Sequence, residues 1–208
     1  MARKQPPTTS EEIIQRRDEL FEALSKESDR GVVLISASFL DEALESLLRA
    51  KFSIRYPKSK SVINKLFDGP LYTFSAKIKI CYTIDLIGEW VYRDLEIIRK
   101  LRNNYFAHSV GIARFDLPEV VQLTEKFKAA DLAVTQISKE EASTKKIKKK
   151  KATKKDASKI TKADMGRARF EMSVSFIGAL LYILTRMLNS DAPVKDKESF
   201  VERILLAK

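Results

Sequence analysis

The sequence predicts an all-α protein, a compact multi-helix bundle, and three observations carry that prediction. Apolar residues recur at spacings of three and four along several long segments. No segment alternates apolar and polar residues as a half-buried strand does, and there is no fixed-period repeat or heptad array. The stripes are separated by turn chemistry such as Asp68-Gly69-Pro70 and by Gly88. At 208 residues, 44% hydrophobic and 32% charged, the chain suits one domain, or one domain plus a tail, with ample material for a core.

Residues 1–9 read as a flexible polar arm, and no apolar stretch follows Arg3 and Lys4 to make a signal peptide. Thr9-Ser10-Glu11-Glu12 has the pattern of a capping box and opens a helix running to Ser28. The second helix starts near Asp29 and runs to about Ala50, with Val32, Ile35, Phe39, Ala43 and Leu47 as its stripe and Leu40, Leu44 and Leu48 widening it. Asp41, Glu42 and Glu45 then fall on its wet side. A short helix, Ser61 to Phe67, is followed by a third long helix from Thr73 to Ile87.

The fourth long helix buries Val91, Leu95, Ile98, Leu101 and Tyr105, and pairs Glu89 with Arg93 and Glu96 with Lys100 on its outer side. Leu117-Pro118-Glu119 opens a further helix to about Ala133, with proline tolerated in the first turn. These elements make a helical domain over 10–138, followed by a flexible linker over 139–163 and C-terminal helices over 164–208 that pack on the bundle or on a partner subunit. The stretch Asp164 to Leu188 is apolar on two sides, which suits a core or a subunit interface. It reads as too short, and too interrupted by Arg169, Glu171 and Arg186, to span a membrane.

Net charge is +11, yet residues 145–162 alone hold ten lysines and one aspartate. This segment is too poor in apolar residues to repay the entropy of ordering it. Its ammonium groups neutralise phosphates without reading bases. Lys145, Lys146, Lys148, Lys149, Lys150, Lys151, Lys154 and Lys155 are therefore the candidate nucleic-acid-binding residues, and a solvated linker is the plainer reading of the same run.

Other chemistry is excluded by absence. One cysteine, Cys81, permits no intrachain disulfide and no Cys-rich zinc site, and it suits a reducing cytoplasm. No phosphate-binding loop, dinucleotide fingerprint, nucleophile elbow or helix-turn-helix stands out, and no cofactor or metal is expected.

One string remains. Arg102-Asn103-Asn104-Tyr105-Phe106-Ala107-His108 places the only histidine six residues after an arginine. On an ideal helix those two side chains point about 120° apart, so convergence needs a distorted or ended helix, or two copies meeting in a dimer. A neutral imidazole that accepts a 2′-hydroxyl proton, beside a guanidinium that stabilises a phosphorane, suits metal-free RNA cleavage. Asn103 would hold a phosphate oxygen or orient the histidine. The plainer reading is a histidine favoured by a helix C-terminus, with Arg102 and Asn103 capping or cross-linking helices.

Arg102-Asn103 followed by His108 resembles the R-x(4–6)-H signature of the HEPN superfamily, compact helical domains that are often dimers and include metal-independent ribonucleases and toxin components. Three ordered blocks resemble, more specifically, the mannitol operon repressor (MltR-like) family. They are Ser36 to Leu44, then Phe67 to Leu71 with Phe74 to Ile78, then Asp94-Leu95 with Ile98-Arg99 and Leu101 to Ser109. The resemblance covers roughly residues 32–109 and implies an all-helical regulator in which repression is attributed without an evident DNA-reading motif. The expectation is a cytoplasmic, non-enzymatic homodimer with a protein partner, nucleic acid met through the lysine-rich segment, and no membrane. A metal-independent endoribonuclease using Arg102, Asn103 and His108 is the alternative. His108 is followed by Ser109-Val110, so the H-x-Y ending of some toxin subgroups is missing.

Overall fold

A computed structural model describes residues 10–107, 113–135 and 161–190, and no strand occurs among them. Helix α1 spans Ser10–Ser25, α2 Asp29–Arg55, α3 Lys60–Phe67, α4 Phe74–Thr83, α5 Glu89–Lys100, α6 Pro118–Thr124, α7 128–135 and α8 Lys162–Asn189. A 3-10 turn, Pro57–Ser59, joins α2 to α3, and a π-helical stretch, Leu101–Ala107, continues α5. The fold is the all-α bundle that the periodicity indicated. The arm 1–9, residues 139–160 of the lysine-rich linker expected over 139–163, and the second C-terminal helix within 191–208 lie outside the described residues.

Helices α2 and α8 form the axis. They run side by side in the same direction: Arg167 meets Asp29, Gly178 meets Phe39, and Tyr182 sets its ring edge-on to Phe39 at 5.7 Å. The apolar stripes read from the sequence supply this contact, with Leu40, Ala43, Leu44 and Leu47 buried from α2 and Phe170, Val174, Ile177 and Leu181 from α8. Helix α1 lies antiparallel on the pair, since Leu24 reaches Arg167 while Arg16 lies 5.7 Å from the Tyr182 ring. Four buried rings, Phe106, Phe115, Phe170 and Phe127, continue the core in a chain with centroids 5.4–6.1 Å apart.

Helix α8 departs from expectation at its start and in its capacity to span a membrane. It starts at Lys162 because Thr161 and Asp164 form a reciprocal capping box, a signal that sits inside the expected linker. At 28 residues it is long and apolar enough to cross a membrane, so the expectation that it was too short is corrected. Half of the tested stretch is buried within the bundle. The arginines that interrupt its apolar text close the ends of other helices. Arg167 donates to the carbonyls of Leu24, in the last turn of α1, and Glu27 just beyond it, and Arg169 donates to those of Thr124, the last residue of α6, and of Glu125 and Phe127 beyond it.

Several boundaries differ from the sequence expectation: α1 ends at Ser25 rather than Ser28, and α2 runs on to Arg55 rather than stopping near Ala50. The third long helix stops at Thr83, not Ile87, because the chain turns through Asp85 at φ 56°, a left-handed conformation that ends a helix. The helix expected over 117–133 is two helices, α6 and α7. Asp94 of α5, fully buried, accepts from the Lys128 and Ala129 backbone N–H groups and so caps the first turn of α7. Burial raises the Asp94 carboxyl above its ordinary value, and those two N–H groups pull it back only in part.

Candidate functional site

Helix α5 buries Val91, Leu95, Ile98 and Leu101 at the expected spacing. The next inward residue is Phe106, five positions after Leu101, and Tyr105 is only partly buried. On an α-helix a five-residue step turns about 140°, which would put Leu101 and Phe106 on different faces. The wider π turn of 101–107 brings both onto the core face, a local distortion often found at functional sites. On the outer side of α5, Glu89 pairs with Arg93 as expected, but Glu96 pairs with Arg99 at 2.7 Å rather than with Lys100.

The π stretch carries Arg102 and Asn103, both partly buried. The Arg102 Nε is buried and has no hydrogen-bond partner among the described residues. Its charge acts on Asp41 of α2, the helix against which the π stretch packs. His108 lies outside the described residues, so the structure places two of the three candidate catalytic residues on one turn. The eight candidate lysines, Lys145 to Lys155, also lie outside them.

Beside Arg102 stands an ionic cluster that sequence reading missed. Asp41 and Glu45 were expected on the wet side of α2, but they face Lys77 of α4, whose side chain is only 4% exposed. Its Nζ lies 3.0 Å from Asp41 Oδ1 and donates to Glu45 Oε2 at 2.9 Å. The Asp41 contact is off-angle, leaving that buried oxygen without an aligned donor. Burial lifts the Asp41 carboxyl above its ordinary value, with Glu45 adding to the rise, while Lys77 and Arg102 oppose it without overcoming it. Arg49 then extends the row, donating to Glu45 Oε1 and Asn64 Oδ1, both at 2.8 Å, with its guanidinium 4.1 Å from the Phe67 ring centre. The available signal was Lys77 itself, a lone cation in the inward row Phe74, Lys77, Ile78 and Cys81.

Chemically, the cluster fixes the α2 face beneath Arg102 with opposed charges and leaves one guanidinium N–H unpaired. No group of three His, Cys, Asp or Glu able to hold a metal occurs among the described residues. Burial pushes the Cys81 thiol up, which makes it an inert core residue. A groove of about 480 Å³ between α1, α2 and α8 is lined by Arg16, Ile35, Phe39, Glu42 and Tyr182, and none of the ionic cluster lines it.

A family model described as mannitol repressor matches residues 16–178, well over half of the chain. The match reaches beyond the 32–109 blocks to include α1 from Arg16 on, the lysine-rich segment and α8 as far as Gly178. No curated protein and no solved structure matches the chain.

Proposed function

The chain belongs to the mannitol repressor family, and from that membership we propose that it is a non-enzymatic helical regulator of transcription, acting in the cytoplasm through protein contacts and through nucleic-acid contacts of its lysine-rich segment. The observation that carries this reading is the extent of the family match, which takes in the α2–α8 axis and not only the blocks around Arg102. The outer side of α5 supports it too: Arg93 and Arg99 are held by Glu89 and Glu96, so this helix does not present a row of free base-reading side chains. Assembly as a homodimer belongs to the same reading. The half-exposed row Met172, Phe176, Ile183 and Met187 on α8 offers the apolar surface, and light scattering reads the mass.

The test of the lysine segment is its deletion. Removing 145–162 is expected to weaken nucleic-acid binding and to flatten its dependence on salt, because each lysine displaces a counterion. Unchanged affinity at low salt would refute that role.

A second reading, a metal-independent endoribonuclease, is favoured by one observation: the partnerless Arg102 Nε on a π turn that ends one residue before His108. In that reaction the His108 imidazole takes the 2′-hydroxyl proton, the 2′-oxygen bonds to phosphorus, and the P–O5′ bond breaks as the 5′-oxygen takes a proton from water, giving a 2′,3′-cyclic phosphate and a 5′-hydroxyl. Incubating RNA in EDTA with the wild type and with His108→Ala separates the readings. Cyclic ends from the wild type alone would establish the nuclease and overturn the non-enzymatic reading; intact RNA with both would remove it.

A further inference from the structure

The whole-chain charge hides a second basic cluster inside the folded part. Residues 49–65 hold six Lys or Arg and no Asp or Glu. They form one corner of the bundle: the end of α2, the 3-10 turn and the start of α3. The chain bends there because Pro57 disfavours a helical Tyr56, whose N–H closes α2 by bonding Phe52 O at 2.8 Å. Arg49 ties the two arms together through Glu45 and Asn64, and the Phe52 ring meets Phe67 at 6.4 Å.

The other five cations, Lys51, Arg55, Lys58, Lys60 and Lys65, are different. None makes an ion pair or a side-chain hydrogen bond among the described residues, and all but Lys51 are fully in the exposed class. Local stability does not require them. Arg55 suits the C-terminal end of α2, but Lys60 occupies the first turn of α3, where the helix dipole disfavours a cation. That turn carries no acidic residue, and Ser59 makes no capping bond to offset it. In their midst Tyr56 is 56% exposed on a backbone pinned by its own hydrogen bond.

We propose that this corner is a binding surface for single-stranded nucleic acid: the cations track phosphates and Tyr56 stacks on an unpaired base. A ring on a fixed backbone offers its face at low entropic cost, and only unpaired bases expose theirs. A lipid surface is the poorer match. The main apolar side of α3, Ile63 and Phe67, is already buried in the core, and only Ile54 (40% exposed) and Val62 (60% exposed) stand out beside Tyr56, too few to form the continuous apolar face that an interfacial helix inserts. The surface is built from folded, described residues and is separate from the lysine-rich segment. It therefore stands or falls apart from the regulatory reading above.

The experiment is fluorescence anisotropy with the full chain, using labelled oligo-dT of about 20 nucleotides, a duplex of equal length and anionic vesicles as probes. Tyr56→Ala is expected to weaken oligo-dT binding roughly tenfold while leaving the duplex unchanged. The triple variant Arg55→Ser, Lys58→Ser, Lys60→Ser is expected to lower the slope of log affinity against log salt by about 2. All four positions are exposed, and circular dichroism checks that the fold is kept. Equal oligo-dT binding by wild type and both variants would overturn the proposal, as would preference for the vesicles or the duplex. If neutralising the lysines of 145–162 abolishes binding while the corner variants bind normally, the corner falls and the lysine segment stands.

Discussion

Arg169 holds the α6–α7 junction to the bundle, and removing it measures what that junction contributes. Its Nε donates to Thr124 O at 3.0 Å, its Nη2 to Glu125 O and Phe127 O at 3.1 Å each, and the same Nη2 pairs with Asp131 at 2.9 Å. A hydrogen bond from a charged donor contributes about 1.5–3 kcal/mol, and a buried carbonyl left alone costs about 1–3 kcal/mol. One nitrogen serves three acceptors, and the side chain is 25% exposed, so water recovers part of the loss. Arg169→Met keeps most of the packing volume and is expected to cost about 3 kcal/mol. For a chain of this size that lowers the melting temperature by roughly 6–12 °C. Circular dichroism during heating reads the midpoint. Hydrogen exchange should show the amides of 128–135 losing protection before those of α2. A midpoint within about 2 °C of wild type would refute the reasoning, because it would mean that water satisfies those carbonyls as well as the guanidinium does.

Two further predictions concern the α2 faces. A Cβ at Gly178 would stand 2.4 Å from Phe39 Cε1, so Gly178→Ala should lose about 1 kcal/mol, overpacking outweighing the gain in helix propensity. Phe39→Leu should restore part of that in a urea titration, and a single variant as stable as wild type would contradict the crossing. The Asp41 carboxyl is raised above 3.8 when folded, so the folded state holds its proton more tightly, and that advantage is lost as pH rises through the raised value. The stability of wild type relative to Asp41→Asn should therefore fall as pH rises above the ordinary carboxylate value, and a difference that grows with pH there would show that Lys77 outweighs burial.

The readable parts of this fold are those where one residue type repeats on one face. The stripes of α2 and α8 were legible because each helix buries a long apolar row, and their pairing needs nothing else. The junctions were not, because their causes lie far away in the chain. Asp94 caps α7 from 34 residues upstream, so no local pattern near Lys128 announces the break. The π turn is driven by where Leu101 and Phe106 must both go, which depends on α2 and Phe115 rather than on the text of 101–107. At the candidate site, Arg102 and Asn103 were found by motif, whereas Lys77 between Asp41 and Glu45 looked like one more cation among many. The basic corner at 49–65 is legible as an acid-free window only when charge is counted locally rather than over the whole chain.

The parallel seating of α8 on α2 also sets a timetable for synthesis. Arg167 closes on Leu24 across 143 residues of chain, and Asp29 waits nearly as long for the same side chain. At roughly 5–20 residues per second, a nascent chain holds the bare face of α2 open for on the order of ten seconds before α8 is made. Leu40, Ala43, Leu44 and Leu47 are the residues left uncovered in that interval. The most aggregation-prone form of this protein is therefore a ribosome-bound chain stalled before residue 162, and that form is where a chaperone has the most to do.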